Sequence, residues 1–314
     1  MRPVLIFFAL VLSSPSIFAE QLKFVKNVQG NSIAMSYLWL DQFNQTHEIT
    51  FSLDKDMTHA LYSNQTNYKP DIAQRYVYVE LMKQAQQINP REARVNVIQR
   101  GSRLEFKVSS RSNEMLAKWR QLMSDKQNSA FQQYLTDNHY STFTDYSGQT
   151  GVVPDHLRYV KESHSLMLPV AQAIYDKLNP GSDTRDYVNL LLSWIQSIPY
   201  DALENRISSN GAGFFTPVEV LINNRGDCDS KATLTAALMR SLLPELSMAI
   251  VYLPGHALLA VNLSHRIDEH ILTIAGTDHV LIEPTGPAKV SIGRVSDETA
   301  RHIANGSYTY ILVP

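Results

Sequence analysis

The sequence predicts an α+β protein in two halves, residues 20–150 and 151–314. Three observations carry that class. Short stretches alternate apolar and polar residues, as half-buried strands do. Longer stretches repeat apolar residues at spacings of three, four and seven, as helix faces do. Hydrophobic residues make up 44% of the 314 and charged residues 18%, which is enough apolar material for packed cores and too little charge for a disordered chain.

The first residues read as an address. Arg2 precedes the apolar run Val4–Leu12, and a small-residue stretch leads to Ala19. That is the order of a secretory signal peptide with cleavage after Ala19. The nine apolar residues fall short of the roughly 20 that span a bilayer. The expectation is an exported protein, periplasmic or secreted, with no transmembrane segment in the mature chain.

In the first half, Met35, Tyr37 and Trp39 alternate with Ser36, Leu38 and Leu40, and Ile49, Phe51 and Leu53 alternate with polar residues; both predict strands. Pro70-Asp71 opens a helix to about Gln87. Val95 and Val97, a turn at Arg100-Gly101-Ser102, and Leu104, Phe106 and Val108 predict a hairpin. Leu116, Trp119, Leu122, Met123, Ala130 and Tyr134 mark one face of a long helix. Residues 137–156 show no period and read as a linker or domain-crossing loop. No catalytic constellation stands out in this half.

In the second half, Pro169 is placed to open a helix, and Asp183 to cap one that ends before Pro199. Thr216-Pro217-Val218-Glu219 has the form of a capping box, with Gly226 suited to the left-handed turn after that helix. A helix follows over about 230–243. Strands are expected near 247–253, 256–263, 270–275, 279–283 and 308–313.

Charge and cysteine usage narrow the function. A net charge of −2 leaves no basic excess for a phosphate backbone, so nucleic acid is not an expected partner. The one cysteine, Cys228, excludes an intrachain disulfide framework and a zinc site of two or more thiolates. The His residues show no metal-ligand spacing, so no metal or other cofactor is expected.

Chemistry concentrates at Cys228. It lies at or just before a helix N-terminus, where unpaired N–H groups and the helix dipole favour a thiolate and offer donors to an oxyanion. Asp227 and Asp229 oppose that ionisation, so a positive partner is needed. His256 begins a buried strand and Glu283 ends another, 28 and then 27 residues further on. Cysteine, histidine and carboxylate in these places form a nucleophile, base and orienter arrangement, with Asp278 as an alternative third member.

Several blocks together resemble the transglutaminase-like superfamily, a branch of the papain-like cysteine enzymes. They are Ser197-Ile198-Pro199-Tyr200, Thr216-Pro217-Val218-Glu219-Val220-Leu221, Gly226-Asp227-Cys228-Asp229-Ser230-Lys231-Ala232, His256-Ala257 and Glu283-Pro284-Thr285. The resemblance covers about residues 183–288 and departs from the family at Glu283, where Asp is usual, and at Leu258, where an aromatic is usual. It implies a papain/transglutaminase-like C-terminal domain, a helical lobe on an antiparallel sheet; the smaller α+β domain before it, of unknown role, lies outside the resemblance. It also implies Cys228 as nucleophile, His256 as general acid and base, and Glu283 as the residue orienting it. The second oxyanion donor, beside the Cys228 N–H, is left open between Trp194, Gln196 and Tyr200. The expected activity is hydrolysis of an amide or peptide in an envelope protein or peptide. Amide transfer, or a non-catalytic binding or scaffold role on the same fold, are the alternatives.

Overall fold

The computed structural model describes residues 20–61, 67–101, 103–205 and 213–314. The expected signal peptide and its cleavage point lie outside these residues. Strands β1 (Glu20–Gln29), β2 (Ser32–Leu40) and β3 (Thr46–Asp54) form an antiparallel sheet in that order. The alternation in β2 and β3 is the pleat itself: Ile33, Met35, Tyr37, Trp39, Ile49, Phe51 and Leu53 are all buried on one face. β1 is exposed along most of its length, so it carries no comparable pattern. A short helix, α1 (Lys55–Leu61), follows.

Helix α2 (Pro70–Gln86), the hairpin of β4 (Arg94–Arg100) and β5 (Arg103–Ser109), and helix α3 (Asn113–Asp137) make a unit with its own core. That core includes Val77, Leu81, Val97, Val108, Met123 and Ala130. Pro70 occupies the first turn of α2, where its missing N–H has no partner to lose. Ser112 caps α3 by accepting from the Met115 N–H at 3.3 Å.

Residues 137–156 are not a linker. They end α3 and form a second hairpin, β6 (Tyr140–Thr144) with β7 (Thr150–Pro154). The Asp145 carboxylate closes its turn by accepting the N–H groups of Ser147 and Gln149, each at 2.9 Å, and Gly148 supplies a φ of 83°. Tyr140 and Phe143 fall on opposite faces of β6, as Val152 and Val153 do on β7, which hides their period.

Helix α4 (His156–Tyr175) begins well before Pro169, which lies inside it rather than opening it. Asp155 caps the true start by accepting from the Arg158 N–H at 3.1 Å. An interior proline costs about 3 kcal/mol. Here burial of Val160, Leu166, Met167, Val170, Ala171 and Ile174 along the same helix outweighs it. Helices α5 (Thr184–Ser197) and α6 (Pro217–Asn223) both start with reciprocal capping boxes, Asp183 with Asp186 and Thr216 with Glu219. Asn224, at φ 50°, takes the left-handed position after α6 that was expected of Gly226. Gly226 serves a different need, since a Cβ there would stand 3.2 Å from Val220 Cγ2.

Helix α7 (Cys228–Leu242) leads into β8 (Met248–Leu253), β9 (His256–Val261), β10 (Ile271–Ile274) and β11 (Thr277–Ile282); α8 (Asp297–Ala304) and β12 (Thr309–Leu312) complete the chain. The five strands form one antiparallel sheet in the order β10-β11-β9-β8-β12, with α7 packed on β9 and β8. The chain is therefore α+β with antiparallel sheets, as its sequence pattern predicts.

Packing divides the molecule differently from the expected boundary near 150. The buried face of β2 and β3 shares one core with α4, α5, α6, α7 and the large sheet. The Tyr37 hydroxyl donates to the Leu221 carbonyl at 3.0 Å, and Trp39 Nε1 donates to Ser193 Oγ at 3.0 Å. Residues 20–54 thus belong with the second half, leaving the α2–α3 unit with a core of its own. Among the described residues, no helix is long and apolar enough to cross a membrane.

Candidate active site

Antiparallel pairing brings the start of β9 and the end of β11 to one edge of the sheet. Leu259 of β9 pairs with Ile282 of β11, so His256 and Glu283 project from neighbouring ends. His256 Nε2 lies 2.5 Å from Glu283 Oε2. The other Glu283 oxygen accepts from the Thr285 N–H at 2.9 Å, which fixes the carboxylate. The left-handed Gly255, φ 68°, reverses the chain between β8 and β9 and sets where His256 begins.

Cys228 is the first residue of α7 and is half-buried. Asp227 caps the helix by accepting from the Ser230 N–H at 3.1 Å. The thiol is within reach of the backbone N–H of Ala257, the residue after His256, and that N–H favours the thiolate. The three residues singled out from the sequence therefore lie about the start of α7, where it meets β9, and the adjoining end of β11. Asp278, the alternative carboxylate, does not. It stands at the other end of β11, accepting from Thr273 Oγ1 at 2.8 Å.

Electrostatics around the thiol is dominated by carboxylates. Burial, Asp229 and Asp227 push the Cys228 thiol up to about 12, with the Ala257 and Asp229 N–H groups acting against them. Burial alone would lower His256, but the hydrogen bond and charge of Glu283 outweigh it, and the imidazole is raised above its ordinary value. Asp227 is pushed up to about 9 by burial and by Asp229. Asp229 is held below the usual carboxylate range: burial opposes its ionisation, but His156 and Asp227 favour it more.

The three oxyanion candidates separate clearly. Trp194 is buried in the shared core against Tyr37 and Phe51, with ring centroids 5.1 and 6.1 Å away. The Gln196 amide is fully committed: Nε2 donates to the carbonyls of Glu283 and Val290 at 2.8 and 2.9 Å, and Oε1 accepts from the Val290 N–H at 3.2 Å. It holds the Glu283 segment in place and has no donor to spare. Tyr200 is 51% exposed, and its backbone bridges to Gly226, two residues before Cys228. Burial and then Cys228, Asp227, Asp229 and Glu204 raise its phenol, which places the ring in the field of the thiol site. Of the three, only Tyr200 is exposed.

Two nearby groups were not singled out from the sequence. Lys231 is fully buried one turn into α7, and its Nζ donates to the Ile198 carbonyl. Burial pulls it down to about 7, against the pull of Glu283 and Asp227. His156, at the start of α4, faces Asp229 with its Nε2 3.5 Å from Oδ2. Its only sequence signal is the capping Asp155 before it, and that falls in the stretch read as a linker. Among the described residues, no group of three or more His, Cys, Asp or Glu is arranged to hold a metal ion.

No family model, curated protein or solved structure matches this chain.

Proposed function

We propose that this protein is an exported, thiol-dependent amide or peptide hydrolase acting through Cys228, His256 and Glu283. The observation that carries the reading is the 2.5 Å contact of His256 Nε2 with Glu283 Oε2, made beside a cysteine at a helix N-terminus. Glu283 engages Nε2, which leaves Nδ1 as the nitrogen free to exchange a proton with the thiol.

In this reading the thiol rests protonated, because the carboxylates oppose a standing thiolate. As Sγ attacks the carbonyl carbon, its proton passes to His256, and the developing imidazolium is stabilised by Glu283. The carbonyl oxygen gains the negative charge. The Cys228 N–H at the start of α7 and the Tyr200 hydroxyl are its donors. Collapse of the tetrahedral intermediate breaks the C–N bond, and the leaving amine takes the proton from His256. The thioester is then hydrolysed by water, activated by the same imidazole, which returns the thiol and releases a carboxylate.

The raised thiol favours one other reading, a non-catalytic binding protein that retains the fold. The two are separated by assaying the purified protein on envelope proteins and peptides alongside Cys228→Ala. Hydrolysis lost in the variant, with a thioester on Cys228 trapped during turnover, supports the enzyme. Hydrolysis undiminished in Cys228→Ala contradicts it.

A further inference from the structure

A second histidine stands behind Cys228. His156 is 2% exposed, clasped by Phe214 at a centroid distance of 4.9 Å and by Tyr252 at 5.7 Å, nearly parallel at 25°. Its Nδ1 lies 2.6 Å from the Tyr252 hydroxyl. Its Nε2 is buried without a well-formed hydrogen bond, and it faces Asp229 Oδ2 at 3.5 Å. The other oxygen of that carboxylate, Oδ1, accepts from Cys228 Sγ at 3.6 Å. Tyr252, His156, Asp229 and Cys228 thus form one line across β8, α4 and α7, separate from the His256–Glu283 pair.

A buried polar nitrogen left without a hydrogen bond is unfavourable unless something compensates it. Charge is the compensation available here. The titratable groups around the ring are Asp155 beside it on α4, Asp227, Cys228 and Asp229 on α7, and Tyr252 on β8. All of these are acidic groups, and the imidazole is the one base among them, with its Nε2 aimed at Asp229.

We propose that His156 is a positioning residue for the Cys228 thiol: by pairing with Asp229 it decides how strongly that carboxylate holds the thiol proton. An unbalanced Asp229 carboxylate beside the sulfur opposes a second negative charge there. An Nε2–H directed at its far oxygen draws that negative charge away from the sulfur, and the thiol ionises more readily. The direction of the Asp229 shift agrees, since His156 is its leading stabiliser. The proposal rests on the thiol being the reactive group, as in the function above, but its readout is the thiol itself.

The test is the rate of iodoacetamide alkylation of Cys228 against pH in the intact protein. It compares wild type with His156→Gln, Asp229→Asn and their combination. His156→Gln is expected to raise the apparent thiol pKa by about one unit and slow alkylation about tenfold at pH 7.5. Asp229→Asn is expected to lower it, and in that background His156→Gln is expected to add nothing. A His156→Gln profile that superimposes on wild type overturns the proposal, as does an equal shift with Asp229 already removed. If His156→Gln loses the wild-type melting transition, Tyr252→Phe carries the test, since it leaves the Asp229 contact and removes the Nδ1 partner. A smaller shift of the same sign supports the proposal, and no shift overturns it. Hydrolysis persisting in Cys228→Ala would contradict the function above while leaving these profiles readable.

Discussion

His256 and Glu283 are 27 residues apart in sequence and 2.5 Å apart in space, joined because β9 and β11 are antiparallel neighbours. The glutamate reaches the imidazole with one oxygen while the other is held by the Thr285 N–H.

In the proposed mechanism Glu283 sets the acid limb of activity. His256 must be neutral to accept the thiol proton, so activity falls as pH falls through its pKa, which Glu283 raises above the ordinary 6.5. Glu283→Gln removes the charge and should move that limb to lower pH, with kcat reduced about 10²-fold or more. Rate profiles from pH 5 to 9 check this, and an unmoved limb would show that Glu283 does not act on His256.

Tyr200→Phe tests the oxyanion donor. Loss of one such donor costs about 10²–10³ in kcat. The expected result is that loss with KM little changed, whereas Gln196→Ala should act through stability. Removing the Gln196 amide strands the buried carbonyl of Glu283, at about 1–3 kcal/mol, and the half-buried one of Val290 at less. Denaturant midpoints alongside kinetics separate the two effects.

Gly286→Ala should destabilise the same segment from the other side. A Cβ at Gly286 would lie 2.0 Å from the Gln196 carbonyl oxygen, and backbone must move to admit it. A loss of about 1–3 kcal/mol, or more, is expected in urea unfolding. An unchanged midpoint would mean that this close approach is absent in solution.

Asp227 gives stability a pH dependence of known sign. Its folded pKa, about 9, lies above its ordinary 3.8. The folded state therefore binds a proton that the unfolded state releases across that window. The contribution is full below 3.8 and is lost as pH rises towards 9. Asn can keep the cap on Ser230 without a charge. Asp227→Asn should thus gain Tm over wild type as pH goes from 5 to 9. A gap that does not change with pH would place a carboxylate, not an acid, at this position.

Trp39 tests how the molecule is divided. It is fully buried and bonded to Ser193, so Trp39→Ala should cost about 3–5 kcal/mol in the transition that also unfolds α5. For the same reason a fragment of residues 151–314 is expected to show no cooperative melting, because the inner face of β2 and β3 is missing. A fragment that melts like the whole protein would restore the boundary near 150.

The legible parts of the sequence were those where one physical pattern acts alone. β2 and β3 announce themselves because one face is buried and the other wet, and α5 and α6 because their caps are written in Asp183 and Thr216. Cys228, His256 and Glu283 were readable because each sits at an element boundary that Gly, Pro or a cap marks. The β6–β7 hairpin was not readable, since apolar residues on both faces leave no period. Pro169 misled because a proline propensity is local, whereas the burial that overrides it comes from elements distant in sequence. His156 and Lys231 escaped notice because their significance is their burial against Asp229 and Ile198, which no local pattern records.

The most direct measurement of the central claim is the alkylation rate of Cys228 against pH in wild type and in His256→Ala. The account predicts that wild type reacts at least about tenfold faster at pH 7.5 and that the variant's apparent thiol pKa is higher, because His256 is the group that accepts the thiol proton. Superimposable profiles would contradict it, leaving Cys228 a thiol without a base.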